Sequence, residues 1–292
     1  MAIIRSPFNW VGSKYNYLRF INTLLIGKEY ESVHDIFMGS GNIILNVSSK
    51  ISNKFYGNDK SKITPFAFNY IKNMDVRFKE KEIRDVILKW DNFKDGKYYE
   101  LKDAWNKSYM ELTEENITKE FVISTVLLFK MCRGSVLRFN NKGEFTQGFS
   151  GTKRDDGFFT RQNIQDITSS LNSTKRIIDK KDIKFTSKNF EDLDLESDKY
   201  NNSLIIIDPP YVSRDGMYED KFSEEQEDYL YSIVEKTESK FMYFNYLEYK
   251  GELNHKLDKV IKTRDDLKIY NISNKTNLKS DIKLKEVLVT NI

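Results

Sequence analysis

Four apolar residues in a row, Leu204-Ile205-Ile206-Ile207, three of them β-branched, predict a short strand buried on both faces. Residues 32–37 predict a second strand, and Met38-Gly39-Ser40-Gly41-Asn42 a glycine turn that opens into a helix at Ile43. Residues 54–59 read as another strand, ending in a carboxylate. From 63 to 129 the pattern is mostly helical, with apolar residues three and four apart clearest over 79–90 and 120–130. That period is lost between 131 and 157, a stretch punctuated by five glycines. A helix is predicted over 161–181, a strand over 183–186, and a helix over 223–235 with Ser223 as its cap ahead of Glu224 and Glu225. Residues 240–245 and 286–291 look like further strands. Strands in both end regions predict a doubly wound α/β core built from residues 1–65 and 183–292. Residues 66–182 are expected as a helical and β-hairpin domain inserted between them.

Composition narrows the picture. With 39% hydrophobic residues, including 20 Phe and 17 Tyr, the chain is globular rather than disordered. Its 292 residues fit one large or two modest domains. No apolar run nears the roughly 20 residues of a membrane helix, and the first residues lack the apolar core of a signal peptide. One cysteine excludes an internal disulfide and a Cys-built metal cluster. Two histidines, His34 and His255, argue against a His-built metal site or a Ser-His-Asp triad, so no metal is expected. Together these features point to the cytoplasm. Charge is unevenly placed: residues 130–188 carry 13 Lys/Arg against 6 Asp/Glu, and residues 189–240 carry 5 against 15. The basic middle suits a polyanion partner, or else a solvated surface with none.

Three stretches carry candidate chemistry. Asp208 ends a buried strand, and Pro209-Pro210-Tyr211 stiffen the chain beyond it. A fixed carboxylate, the Pro209 carbonyl and an aromatic ring suit a planar group bearing an exocyclic amine; the alternative is a Pro-Pro turn with a capping Asp. Gly39 and Gly41 precede Asp59 by twenty and eighteen residues, the layout of a nucleoside-binding βαβ unit, although a glycine pair also makes an ordinary tight turn. The third is basic and aromatic at once: Arg133, Arg138, Lys142, Lys153 and Arg154 alternate with Phe139, Phe145 and Phe149. That mixture suits phosphate contacts, base-edge hydrogen bonds and stacking, or a hairpin with a small core of its own. Near the N-terminus, Trp10 and Lys14 flank Gly12-Ser13, either as core or as a cover over a ligand.

In this order the segments resemble the Dam-like DNA adenine N6-methyltransferases over nearly the whole chain. Phe8-Asn9-Trp10-Val11-Gly12-Ser13-Lys14 is similar to that family's opening Phe-x-x-Trp-Ala-Gly-Gly-Lys region, with Val11 for Ala and Ser13 for Gly. Asp35-Ile36-Phe37-Met38-Gly39-Ser40-Gly41 resembles its Glu-Pro-Phe-x-Gly-x-Gly motif, and Asp59 falls on its ribose-binding acid. Asp208-Pro209-Pro210-Tyr211 is identical to its catalytic motif, and Asn245 falls on the Asn of a later strand motif. The resemblance implies a mixed sheet of the S-adenosylmethionine-dependent type. It implies S-adenosyl-L-methionine held by Trp10, Lys14, Phe37, Gly39, Gly41, Asp59, Asn189, Phe190 and Asp208, and catalysis by Asp208, Pro209 and Tyr211.

Arg138-Phe139-Asn140-Asn141-Lys142-Gly143-Glu144-Phe145 is close to the Arg-Tyr-Asn-x-x-Gly-Glu-Phe hairpin of GATC-specific members. Downstream it departs, with Thr146-Gln147-Gly148-Phe149 where they carry Asn-x-Pro-Phe, and Arg133 stands where some place an intercalating Tyr. Arg133, Arg138, Asn140, Lys142 and Phe145 are thus expected at double-stranded DNA, with GATC the leading target. The same likeness implies a nucleoid-associated protein of a bacterial or phage-infected cell, a monomer or weak dimer on DNA, with a companion restriction endonuclease left open. Methylation of cytosine or of protein Gln, and a non-catalytic DNA-binding subunit, remain the alternatives.

Overall fold

Residues Leu204–Ile207 are buried at every position, as their unbroken apolar run predicts, and they lie in the middle of one sheet. The computed structural model describes residues 3–94, 96–135, 137–140, 142–151, 157–210, 222–277 and 282–292. In chain order its helices are α1 (Leu18–Leu24), α2 (Asn42–Asn46), α3 (Ile63–Asn73), α4 (Glu80–Lys89), α5 (Lys97–Met110), α6 (Lys119–Met131), α7 (Arg161–Lys180), α8 (Glu224–Lys236) and α9 (His255–Thr263). Its strands are β1 (Val33–Asp35), β2 (Lys54–Asn58), β3 (Asp182–Thr186), β4 (Leu204–Ile207), β5 (Lys240–Tyr249), β6 (Glu252–Leu253), β7 (Lys268–Asn277) and β8 (Ile282–Thr290).

The strands order as β3-β2-β1-β4-β5-β8-β7, with β6 paired to β5. From β3 to β5 all pairings are parallel, while β8 runs antiparallel to both β5 and β7. The sheet is mixed and doubly wound. Alternate residues of each strand serve opposite faces. Leu204, Ile206, Met242, Phe244 and Leu288 join one buried cluster with α1 and the α3–α7 helices. Ile205, Ile207, Phe241, Tyr243, Val287 and Val289 join another, under α8 and α9. The first cluster runs without a break from the sheet into residues of α4, α5 and α6, so the segment between β2 and β3 shares its core with the sheet.

Caps and periodicity account for the helices. Ser223 accepts from the Gln226 N–H at 3.2 Å and Gln226 returns the bond at 3.1 Å, a closed capping box at the start of α8. Thr160 and Asn163 do the same for α7, whose apolar face carries Ile164, Ile167 and Leu171. Some expectations change. The strand expected over 32–37 stops at Asp35, because Ile36 and Phe37 already turn into the glycine loop. The strand expected over 286–291 starts earlier, at Ile282, and pairs with β7, which the pattern did not announce. No helix among the described residues is long and apolar enough to cross a membrane.

Candidate active site

The strand order reverses between β1 and β4, and in open α/β sheets ligands bind beyond the C-terminal strand ends at such a point. Here β1 runs into Gly39 (φ +49°) and Gly41 (φ +74°), both in the left-handed region that suits glycine. A Cβ on Gly39 would stand 2.8 Å from the Trp10 ring, and one on Gly41 2.6 Å from Phe68. Asp59, just past β2, accepts from the Gly39 N–H at 2.7 Å and the Ser61 N–H at 2.9 Å. Asn42, to which the sequence reading gave no role, ties the loops together. Its amide donates to Ser13 Oγ and Ser40 Oγ, each at 2.8 Å, and its carbonyl accepts from the Ser6 N–H at 2.9 Å.

Asp208 leaves the end of β4 and meets Lys14, 194 residues earlier in the chain. The Lys14 ammonium donates to both Asp208 oxygens, at 2.6 and 2.8 Å, and to the Gly12 carbonyl at 2.9 Å. It also stands 3.3 Å from Glu286 of β8, which the sequence reading did not include, and 5.3 Å from the centre of the Phe244 ring. Burial disfavours the charge on Lys14, but the Asp208 and Glu286 carboxylates outweigh it and raise the pKa above the ordinary lysine value. Asp35 is 1% exposed, and neither of its oxygens meets a hydrogen-bond partner among the described residues. Burial first, then the neighbouring Asp208 and Asp59 charges, holds its carboxyl well above the usual range.

Lys14, Asp35, Asp59 and Asp208 line one cavity of about 330 Å³, within the usual size range of small-molecule sites. Trp10, Lys14, Asp35, Phe37, Gly39 and Asp59 line it together with Asn189, Phe190, Asp208 and Pro209. Phe37 and Phe190 lie 4.9 Å apart and Phe222 packs on both. The Asn189 amide donates to Glu191 at 2.8 Å, while its buried Oδ1 has no partner among the described residues. Tyr109, Leu137 and Phe139 close the cavity from the segment between β2 and β3. Gly41 sits behind this lining, as the cap of α2. Asn245 also lies away from it, buried on the α8 side where its amide donates to the Tyr243 hydroxyl at 2.7 Å. Tyr211 is outside the described residues.

The basic stretch is an irregular hairpin, with antiparallel bridges pairing Cys132 with Phe149 and Phe139 with Phe145. Arg133, Arg138 and Lys142 are exposed on it. Asn140 holds the turn: its Oδ1 accepts from the Lys142 and Glu144 N–H groups and its amide donates to Glu144 at 2.7 Å. Phe145 was expected at the DNA surface, but the structure places it in the core, 1% exposed against Trp105, Phe129 and Phe139. An apolar ring flanked by that many aromatic neighbours gains more from burial than from water.

Comparison with known proteins gives the same direction. A family described as D12 class N6 adenine-specific DNA methyltransferase matches residues 10–280. The chain is 27% identical over 300 residues to the modification methylase StsI of Streptococcus sanguinis. It is 25% identical over 306 residues to the type II methyltransferase M.FokI of Planomicrobium okeanokoites. Each alignment takes in 99% of this chain but 43% of the relative, so the chain spans less than half the length of either.

Proposed function

Because the chain belongs to the D12 class N6 adenine-specific DNA methyltransferases, we propose that it transfers a methyl group from S-adenosyl-L-methionine to the exocyclic amine of an adenine in double-stranded DNA. One observation carries this reading. The cavity lined by Trp10, Gly39 and Asp59 is also the cavity lined by Asp208 and Pro209, so a nucleoside cofactor and an incoming amine share one space. The residues present suit that cofactor. Asp35 is a buried carboxylate that a cationic ligand would satisfy, the Asn189 Oδ1 awaits a donor, and Asp59 lines the cavity with a carboxylate suited to ribose hydroxyls. Trp10, Phe37 and Phe190 offer aromatic surface to its base, and Lys14 sits at the floor. The cofactor, when bound, supplies a methyl group on an electrophilic sulfonium.

The remaining work falls to this chain. The adenine amine is a poor nucleophile, because its lone pair is delocalised into the ring. Asp208 and the Pro209 carbonyl, accepting both amine hydrogens, favour a more tetrahedral nitrogen with that lone pair available. Positioning and electrostatics then carry the step. The base must leave the duplex to reach them, and Tyr211 receives its face in this reading. Arg138 reads guanine, the preferred partner of arginine in the major groove, while Arg133 and Lys142 meet phosphates. The target-recognising residues are placed in segment 66–182, with GATC the first sequence to test. The relatives' names, a modification methylase and a type II methyltransferase, support a companion restriction endonuclease and a place in the bacterial or phage-infected cytoplasm.

The test is incubation with methyl-labelled S-adenosylmethionine and duplex DNA. N6-methyladenine is expected in the digested DNA, and Asp208→Ala should lower the single-turnover rate about a hundred- to a thousandfold. Label in N4-methylcytosine or in protein would point to the other amines. Duplex binding without transfer would leave a binding subunit. Sequencing the methylated positions tests GATC directly.

A further inference from the structure

While it keeps its present contacts, Asp208 meets the target amine as a weakened acceptor. Both of its oxygens accept from the Lys14 ammonium. An ammonium this close draws electron density from the carboxylate, and it opposes the positive charge that develops on the amine nitrogen. If Asp208 turned away, Lys14 would be left as a buried cation, 1% exposed, which a protein interior tolerates only beside a counter-charge.

Such a counter-charge is built into β8. Glu286 Oε1 is 3.3 Å from the Lys14 ammonium and the side chain is 14% exposed. Two strands away from β4, this acid comes within reach of Lys14 where the sheet is irregular. The β5–β8 register shifts between Tyr246 and Glu248, opposite Glu286 and Lys285. The β7–β8 register shifts between Asn271 and Ser273, opposite Val287 and Glu286. Both irregularities fall at the Glu286 rung, with the extra residue in β5 (Leu247) and in β7 (Ile272), so the strands on either side of Glu286 bend there. Along β8, Glu286 shares its face with Leu288, which packs in the same cluster as Phe244, and the Phe244 ring lies beside Lys14. An acid in that position, bent toward a buried ammonium already held by another acid, leaves the trio with a net negative charge.

We propose that Glu286 is a positioning residue for methyl transfer: it takes over the Lys14 ammonium as Asp208 turns to the amine of the target base. The proposal rests on the assignment of Asp208 to that amine. Lys14 shifts from one carboxylate to the other without leaving its pocket, and no proton changes owner. With Gln at position 286 the ammonium has a weaker alternative and stays on Asp208, so the amine meets an acceptor that is already engaged.

The experiment uses the full chain and a duplex bearing a site identified by sequencing. Glu286→Gln should lower the single-turnover rate 10- to 100-fold at saturating S-adenosylmethionine, with affinity for the cofactor within threefold of the parent. In a Lys14→Met background the same substitution should cost less than threefold, since no ammonium remains to be received. A binding measurement does not depend on turnover. The parent, loaded with the demethylated cofactor product, should prefer a duplex with adenine at the target over one with purine, which lacks the amine. Glu286→Gln should erase most of that preference. A parent-like rate, or an unchanged adenine-to-purine ratio, overturns the role of Glu286. An equal loss in the parent and Lys14→Met backgrounds does so too, since that is the signature of a purely structural residue. If the parent itself transfers no methyl group to DNA, the underlying assignment of function fails instead.

Discussion

Asp35 ends β1 and Asp59 follows the neighbouring β2, and the two are treated in opposite ways. Asp59 accepts from two backbone N–H groups, whereas Asp35 is buried without a hydrogen-bond partner among the described residues. Asp59→Ala should therefore weaken S-adenosylmethionine by about 1.5–3 kcal/mol, the worth of a hydrogen bond to a charged group, and leave duplex affinity unchanged. Calorimetry with each ligand checks it; unaltered cofactor affinity rejects the ribose assignment. For Asp35 the prediction concerns stability. Its folded pKa lies well above the ordinary carboxylate value, so over the interval between them the folded chain holds a proton that the unfolded chain has released. Stability then falls as pH rises through that interval. Asp35→Asn removes the penalty: without cofactor it should melt higher than the parent at pH 8, with a smaller gain at pH 5, and it should bind S-adenosylmethionine more weakly. Equal melting shifts at both pH values would return Asp35 to the ordinary range.

At the scale of elements, α2 depends on a residue far along the chain. It spans Asn42–Asn46, too short to hold itself, and Lys181 at the end of α7 donates to the carbonyls of Ile44 (3.0 Å), Leu45 (3.2 Å) and Val47 (2.6 Å). Burial pushes the Lys181 amine down to about 7, but the three carbonyls and the Phe55 ring at 4.6 Å favour the ammonium, because a neutral amine has one hydrogen too few for all three. Lys181→Met keeps the apolar stem and orphans those carbonyls, at about 1–3 kcal/mol for each left unsatisfied. A melting midpoint lowered by roughly 5 °C or more is expected, together with weaker cofactor binding through the glycine loop; an unchanged midpoint would show that water replaces the amine.

This dependence also marks where sequence reading ends. The buried run of β4, the glycine loop with Asp59 and the Ser223 cap were legible, because each is a local rule acting on adjacent residues. Lys181 on α2, Lys14 on Asp208, and Glu286 were not, because contacts over such separations leave no period in the sequence. Phe145 misled for a related reason: a hairpin's buried and exposed rings alternate, and composition does not say which is which. The edge strand β7, rich in Lys, Asn, Ser and Thr, lacks the apolar run that would announce it.

For the whole molecule, charge is the property that the fold arranges last. The basic 130–188 stretch supplies the exposed Arg133, Arg138 and Lys142. Duplex binding should accordingly weaken roughly a thousandfold between about 50 and 200 mM salt, the loss for about six phosphate contacts, and Asp208→Ala should show the same slope. A flat salt dependence would remove the polyanion from the account. The sheet order has one more consequence, for biosynthesis. Val33 of β1 pairs with Leu204 of β4, so an inner strand pair of the sheet joins residues 171 positions apart in the chain. On a ribosome adding about 5–20 residues per second, β1 waits roughly ten to thirty seconds with one edge open. Loop-closure entropy delays that pairing further, which makes this fold slow to complete and open, in the interval, to strands from other nascent chains.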